Sequence, residues 1–312
     1  MAHATYRLLT FSELNGWAED DHAAALSVFR NTADLLGPDW ADCVVALDGA
    51  EDARMYFETH FVLVEITDGN PALFTGYFEP ELSGSLTPDD TYRHPLYRLP
   101  EGDLPTRAEI EDGALAGRGL ELVWLSDPVE AFFLHIQGSG RVTLPDGGTL
   151  RVGFAAKNGY PYQSVGKKLI DAGKIDPTEI SAERIKDWMR AHPTDAKELM
   201  RQNQSYVFFR ELDVPPESGP IGVMGRSVTA GRTIAVDPEY NTYGAPVWIE
   251  KDAPDAIASL MIAQDTGGAI KGAQRADIFV GTGAKAGHIA GSYQQSGRMV
   301  ALLPCKLAEG LI

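Results

Sequence analysis

A chain of 312 residues has room for about two domains of roughly 150 residues each, which excludes a mini-protein held together by staples. Its 44 acidic residues against 27 basic ones leave a net charge of −17, and 44% of the residues are hydrophobic, the make-up of an acidic globular protein. That balance excludes duplex nucleic acid as a partner, because binding phosphates takes a surplus of Lys and Arg.

Met1-Ala2-His3-Ala4 lacks the basic and apolar stretches of an export signal, which predicts a cytoplasmic chain or a mature form with its signal removed. Asp20 and Asp21 then open a predicted helix in which Ala25, Val28, Phe29 and Leu36 recur near helical spacing, stopped by Gly37-Pro38. A second helix is predicted from Glu51 to about Phe61. The apolar run Phe61–Val64 is broken by Glu65, well short of the roughly 18 residues of a membrane span. From Leu73 the texture turns to strands and turns, with β-formers in Thr75-Gly76-Tyr77-Phe78-Glu79-Pro80. Residues 120–154 read as several strands, among them the apolar run Ala131–Leu134, separated by Gly138-Ser139-Gly140 and Asp146-Gly147-Gly148.

Three helices follow, Ser164–Ala172, Ser181–His192 and Thr194 to about Gln202, with Ser and Thr at the expected N-cap positions. Asp213-Val214-Pro215-Pro216-Glu217-Ser218-Gly219-Pro220 is the strongest linker signal, since paired prolines continue neither a helix nor a central strand. Short strands at Thr233–Val236, Pro246–Ile249, Ser259–Ala263, Ala276–Val280 and Met299–Leu303 suit a small closed barrel. Boundaries near 80 and 212 fit an inserted middle domain, and a serial two-domain chain would carry the same signals. The charge is uneven along this order: residues 1–130 hold 25 acids and 7 bases, whereas residues 131–312 hold 19 and 20.

Two cysteines, Cys43 and Cys305, rule out a disulfide framework or a Cys-rich zinc site and leave either one bridge or two thiols. The histidines at 3, 22, 60, 94, 135, 192 and 288 form no metal-ligand pair at helical spacing, so no metal is expected. Gly281–Gly287 imitates a dinucleotide fingerprint at the wrong spacing and reads as a loop; with no Walker sequence and no Gly-x-Ser-x-Gly elbow, no cofactor is expected. What remains is an acid. In Ala263-Gln264-Asp265-Thr266-Gly267-Gly268-Ala269-Ile270-Lys271-Gly272 an apolar strand ends on Asp265, and Gly267 and Gly268 let the backbone turn sharply beside the carboxylate. Asp237 and Asp277 stand at the edges of neighbouring strands, each readable as a chemical acid or a turn brace. Asp-Thr-Gly also occurs in aspartic proteases, but those need two copies sharing a proton and this chain has one. Aromatic, amide and hydroxyl groups suited to carbohydrate lie around Thr75 and Tyr77, around Gln137 and Ser139, and at Lys157, Asn158 and Tyr160, which favours a polysaccharide cleft or a non-catalytic glycan-binding module.

These strings, together with Leu104-Pro105-Thr106-Arg107-Ala108-Glu109-Ile110, Asn203–Phe209 and Asp277-Ile278-Phe279, resemble the family of membrane-bound lytic murein transglycosylase A from about Thr75 to Val300. The resemblance implies a mainly β protein with peripheral helices. Residues 1–79 and 212–312 would form a double-psi β-barrel, the 3D domain, and residues 80–211 an inserted β-rich domain. It also implies cleavage of the β-1,4 bond between N-acetylmuramic acid and N-acetylglucosamine, leaving 1,6-anhydromuramyl ends. Asp265 would be the catalytic acid, Asp277 and Asp237 its supporting acids. Thr75, Tyr77, Gln137, Ser139, Lys157, Asn158, Tyr160, Gly267, Gly268 and Lys271 would contact peptidoglycan strands, in the periplasm or at the outer membrane. Family members carry a lipid-anchoring cysteine near the N-terminus, whereas the first cysteine here is Cys43, inside the predicted helical region.

Overall fold

A computed structural model describes residues 4–311. Positions 1–3, on which the export-signal reading and His3 fall, lie outside the described residues. The chain folds as two compact units, one built from the residues up to Phe78, Ile221–Gly281 and the residues from His288 onward, the other from Glu79–Pro220 and Thr282–Gly287.

In chain order the first unit opens with β1 (Thr5–Leu9), α1 (His22–Arg30), α2 (Ala41–Ala46), α3 (Ala53–His60), β2 (Val62–Thr67) and β3 (Leu73–Glu79). The second unit contributes β4 (Glu81–Ser85), β5 (His94–Tyr97), α4 (Arg107–Glu111), β6 (Glu121–Leu125), α5 (Pro128–Gln137), β7 (Ser139–Thr143) and β8 (Thr149–Lys157). It continues with α6 (Val165–Asp171), α7 (Ala182–Ala191), α8 (Pro193–Arg201) and β9 (Val207–Glu211). Then come β10 (Thr233–Val236), β11 (Pro246–Lys251), β12 (Ile257–Asp265), β13 (Arg275–Thr282), α9 (Gly283–Ser292), β14 (Gln294–Gln295), β15 (Gly297–Leu303) and α10 (Cys305–Glu309). The protein is thus mainly β with peripheral helices.

Local chemistry explains the helix starts. The Asp21 and Asp52 carboxylates accept the Ala24 and Met55 amides at the first turns of α1 and α3, and Ser164 and Ser181 do the same for α6 and α7. Several expectations change, among them the Thr194 cap, since His192 holds the N-cap of α8 and Pro193 its first position. Ala131–Leu134 lies inside α5, because Asp127 caps the Val129 and Glu130 amides and Pro128 takes the first helical position, where its missing N–H costs nothing. Residues from Gly283 onward in the supposed loop form α9, and the first helix ends at Arg30, short of Leu36.

The nine-stranded sheet of the first unit runs β1-β2-β15-β11-β12-β10-β13-β3-β14. Alternation along its strands feeds two cores. Trp248 on β11 and Leu260 and Ile262 on β12 pack with Phe29, Phe57, Trp17 and Trp40 under the helices, whereas Val247, Ile249, Met261 and Ala263 point the other way. That second core also takes Phe74, Ile234, Ile278 and Met299, so one face of the sheet packs on itself and the sheet curls around it. The strand order nevertheless has two ends, and no pairing joins β1 to β14 among the described residues, so the expected closed barrel is not among these ladders.

In the second unit the six-stranded order is β5-β6-β4-β7-β8-β9. Asp213–Pro220 is held down there, not free as a linker would be. Arg151 donates to the Pro215 and Ser218 carbonyls at 2.9 Å each and Arg141 to Ser218 at 3.1 Å, while both pair with the fully buried Glu79 at 2.7 and 2.8 Å. A buried carboxylate without such partners would cost several kcal/mol.

Candidate active site

Asp265 owes its position to an irregularity in the sheet. β10 runs parallel to β12 with Ile234 opposite Ala263, but the next residue, Ala235, faces Asp265, so Gln264 is an extra residue in a β-bulge. Gln264 turns toward α1, where its amide donates to the Val28 carbonyl and Thr32 Oγ1 at 3.1 Å each and accepts from Thr233 Oγ1 at 2.6 Å. The bulge moves Asp265 into the row of Ala235. On the other side of Ala235, antiparallel β13 places Asp277 opposite the same residue. The two carboxylates therefore share one face, on either side of Ala235, with Cα atoms about 10 Å apart across two strand spacings.

The half-buried Asp265 accepts three hydrogen bonds. The Val223 and Thr266 amides donate to Oδ1 at 3.2 and 2.9 Å, and the Tyr77 hydroxyl donates to Oδ2 at 2.9 Å. Burial pushes its carboxyl above the usual carboxylate range, and the three donors only partly offset this. The Tyr77 hydroxyl is itself pushed well up, by burial and then by the Asp265 charge, so it stays a neutral donor; its ring lies 5.2 Å from that of Phe279.

Asp277 is raised too, by burial first and by the charge of Asp265, against the pull of Thr75 and Arg275. Thr75 Oγ1 donates to Asp277 Oδ1 at 2.5 Å and accepts from Arg275 Nη2 at 2.9 Å, which makes a relay from guanidinium to carboxylate. The parity of β3 puts Thr75 and Tyr77 on this face, opposite the buried Phe74.

Asp237 does something else. It is buried, with Lys271 Nζ at 3.1 Å and the amides of Gly272 and Glu239 at 3.0 and 3.3 Å. Burial works against ionisation, but these donors prevail and hold the carboxyl below the usual range. Its donors make it a clamp on the loop after Asp265. Thr266 Oγ1 ties the same loop to the Val236 carbonyl at 3.0 Å. Neither Gly267 nor Gly268 takes a left-handed conformation; the tight turn falls at Gly272, with φ of +119°.

Sequence reasoning missed the segment facing Asp265 from Ile221 to Ser227. A Cβ on Gly222 would meet the Gln264 carbonyl oxygen at 2.7 Å, so only glycine brings the Val223 amide this close. The glycine between Ile221 and Val223 is the available signal, unreadable without knowing what it abuts.

The other expected contacts belong to the second unit. Asn158 is taken up by the backbone: it donates to the Pro105 and Gln204 carbonyls at 3.0 and 2.9 Å and accepts the Tyr206 amide at 2.9 Å, which braces this segment. Ser139 is buried at the start of β7, and the half-buried Gln137 closes α5. Lys157 and Tyr160 are exposed. Arg107, 3% exposed, donates to the Asn203 and Ser205 carbonyls and bridges to His135 Nδ1 at 3.0 Å, between the rings of Phe132 and Tyr206. Among the described residues no group of three His, Cys, Asp or Glu side chains is placed to hold a metal.

The chain thus comprises a β-sheet unit with two raised carboxyls and a second β-rich unit, and two family models match it. Residues 73–105 and 102–210 match the MltA specific insert domain, and residues 232–303 match the 3D domain. The chain is 36% identical over 239 residues to membrane-bound lytic murein transglycosylase A of Vibrio cholerae, 73% of this chain and 64% of that protein. It superposes on the crystal structure of a membrane-bound lytic murein transglycosylase from Agrobacterium tumefaciens with a TM-score of 0.85 and 34% identity, covering 99% of this chain and all of that one. The Escherichia coli MltA structure with bound chitohexaose gives a TM-score of 0.78 at 28% identity, covering 93% of this chain and 90% of that one. The chain belongs to the membrane-bound lytic murein transglycosylase A family, and its match spans about 64% of the length of the curated relatives.

Proposed function

We propose that the protein is a lytic transglycosylase of the cell envelope. It would cleave the β-1,4 bond between N-acetylmuramic acid and N-acetylglucosamine in peptidoglycan and leave 1,6-anhydromuramyl ends. The names of its relatives and the chitohexaose bound to one of them support a glycan substrate. The scaffold in this reading is a double-psi β-barrel of residues 1–79 and 212–312, the curled sheet being its wall, with residues 80–211 inserted.

The observation that carries the reading is the Asp265 carboxyl, raised by burial and held at both oxygens. An acid must keep its proton near working pH to donate it. Two amides occupy Oδ1, which directs the proton to Oδ2, on the side away from the Tyr77 hydroxyl. Protonated Asp265 gives that proton to the glycosidic oxygen as the bond to the muramyl C1 breaks. The muramyl C6 hydroxyl then attacks C1 and passes its own proton to the Asp265 carboxylate, which restores the acid. No water is consumed. Because the nucleophile is tethered to the reacting carbon, effective molarity replaces the second carboxylate of an ordinary glycosidase. Asp277 is a supporting acid, and the exposed Lys271, Lys157 and Tyr160 remain available to the polymer.

Asp265→Asn should lower the release of soluble muropeptides from purified murein by about 10²–10⁴-fold, with sedimentation of the protein on murein unchanged. Wild-type protein that sediments with murein without shortening it would leave a binding module instead, and full turnover by the variant would remove Asp265 from the mechanism.

A further inference from the structure

A second chemistry lies in the first unit, apart from the carboxylates. Cys43 stands in α2 and Cys305 opens α10, 262 positions apart in sequence, and both are free thiols. Three contacts bring them to one place. The antiparallel register of β15 with β2 ends with Leu303 opposite Val62. Cys305 follows Leu303 by two residues at the start of α10, and His60 precedes Val62 by two at the end of α3. Cys43 is already there, its thiol donating to the His60 carbonyl at 3.4 Å. The neighbours of the two cysteines are also joined: Lys306 Nζ lies 3.0 Å from Asp42 Oδ2. Leu303, Leu307 and Ala308 pack into the same core as Cys43 and Phe61, and α10 contacts β2.

We propose that Cys43 and Cys305 are a redox pair that closes into a disulfide, fastening the C-terminal helix α10 to the N-terminal helical layer. The two thiols differ in the way stepwise exchange requires. Cys305 is exposed and meets the oxidant first. Cys43 is buried and so less accessible to bulk reagents, and burial, with lesser contributions from Asp42 and Cys305, pushes its thiol up to about 11, so its attack relies on the nearness of Cys305. The oxidant is a disulfide, either a small one such as glutathione disulfide or that of a thiol oxidase. The Cys305 thiolate attacks one of its sulfurs, forming a mixed disulfide and releasing one thiol. The Cys43 thiolate then attacks the Cys305 sulfur, forming the internal bond and releasing the second thiol. Two cysteine thiols are oxidised, one external disulfide is reduced to two thiols, and the protons of Cys43 and Cys305 end on those products. A bridge closing so long a loop removes more freedom from the unfolded chain than a short one would. The inference stands on these contacts alone and does not depend on the glycan-cleaving reading.

The experiment incubates the full-length protein with glutathione disulfide, then unfolds it in an alkylating reagent and measures intact mass and peptide map. The expected result is loss of two hydrogens per chain, a Cys43–Cys305 linked peptide, no alkylated cysteine, and a thermal midpoint that rises on oxidation and returns with dithiothreitol. Cys305→Ser, a change at an exposed position, should abolish the mass loss and the rise in midpoint while leaving the reduced midpoint unchanged. A glutathione adduct at Cys305 that never resolves, a dimer linked through Cys305, or a linked peptide with no rise in midpoint would each overturn the proposal.

Discussion

At the scale of single residues, the site depends on how one carboxyl is held. Asp265 is raised by burial and lowered by its donors, so in the proposed mechanism each donor would set where activity is lost as pH climbs. Tyr77→Phe removes a donor that favours the charged form. The alkaline limb of the pH–rate profile for murein solubilisation should therefore move to higher pH, with the rate on the acid side reduced about tenfold or less; an unmoved limb would detach Tyr77 from the acid. Stability follows the same carboxyl. A carboxyl raised above its ordinary value of 3.8 favours the fold at low pH, and that contribution is lost as pH rises through the folded-state value. Asp265→Asn should accordingly melt at or above the wild-type temperature at neutral pH, with the gap closing on acidification. A variant that melts lower at neutral pH would show that the carboxylate supports the fold.

At the scale of elements, the bulge in β12 and the segment around Gly222 decide whether Asp265 reaches its partners. Gly222→Ala forces a methyl group toward the Gln264 carbonyl at 2.7 Å and must push the Val223 amide away from Asp265. The expected outcome is a loss of about 1–3 kcal/mol in thermal or denaturant unfolding together with a marked fall in murein turnover. Full activity at normal stability would contradict the close approach. This scale also shows what the sequence could and could not reveal. An apolar run ending in Asp-Thr-Gly-Gly marks Asp265 as a strand-end acid, and Thr75 and Tyr77 share a parity readable from one strand. The bulge was invisible, because an extra residue exists only relative to the register of β10. Asp237 and Asp277 look alike in sequence, each an acid at a strand edge, and only their donors separate them: an ammonium and two amides for Asp237, a hydroxyl relay for Asp277. Ala131–Leu134 was legible as helix through Asp127-Pro128, a start signal outweighed by four consecutive apolar residues. Small residues along α9 read as a loop because their use, the close approach of Gly76 to the Ala290 backbone, is a tertiary fact.

At the scale of the whole molecule, the acidic surplus in residues 1–130 lies outside the segments that supply Asp265 and Asp277, and Arg275 sits beside them in a nearly neutral stretch. Low pH challenges the fold elsewhere. His22 is buried with its Nε2 unpartnered, and burial holds it below its ordinary value of 6.5; burial, then the Arg107 charge, holds His135 well below it. Depressed histidines stabilise the fold above the ordinary value, and that contribution is lost as pH falls through the folded-state values. The thermal midpoint should drop between about pH 7 and pH 5, and His22→Phe, which keeps a ring against Trp17, should flatten the drop; an unchanged slope would exclude His22. In the proposed reaction the bond that replaces the glycosidic one is intramolecular. Purified murein digested by the protein in heavy-oxygen water, with the new ends analysed by mass spectrometry, reads this directly. Intramolecular attack predicts 1,6-anhydromuramyl ends carrying no label, and reducing ends that carry one heavy oxygen would contradict it.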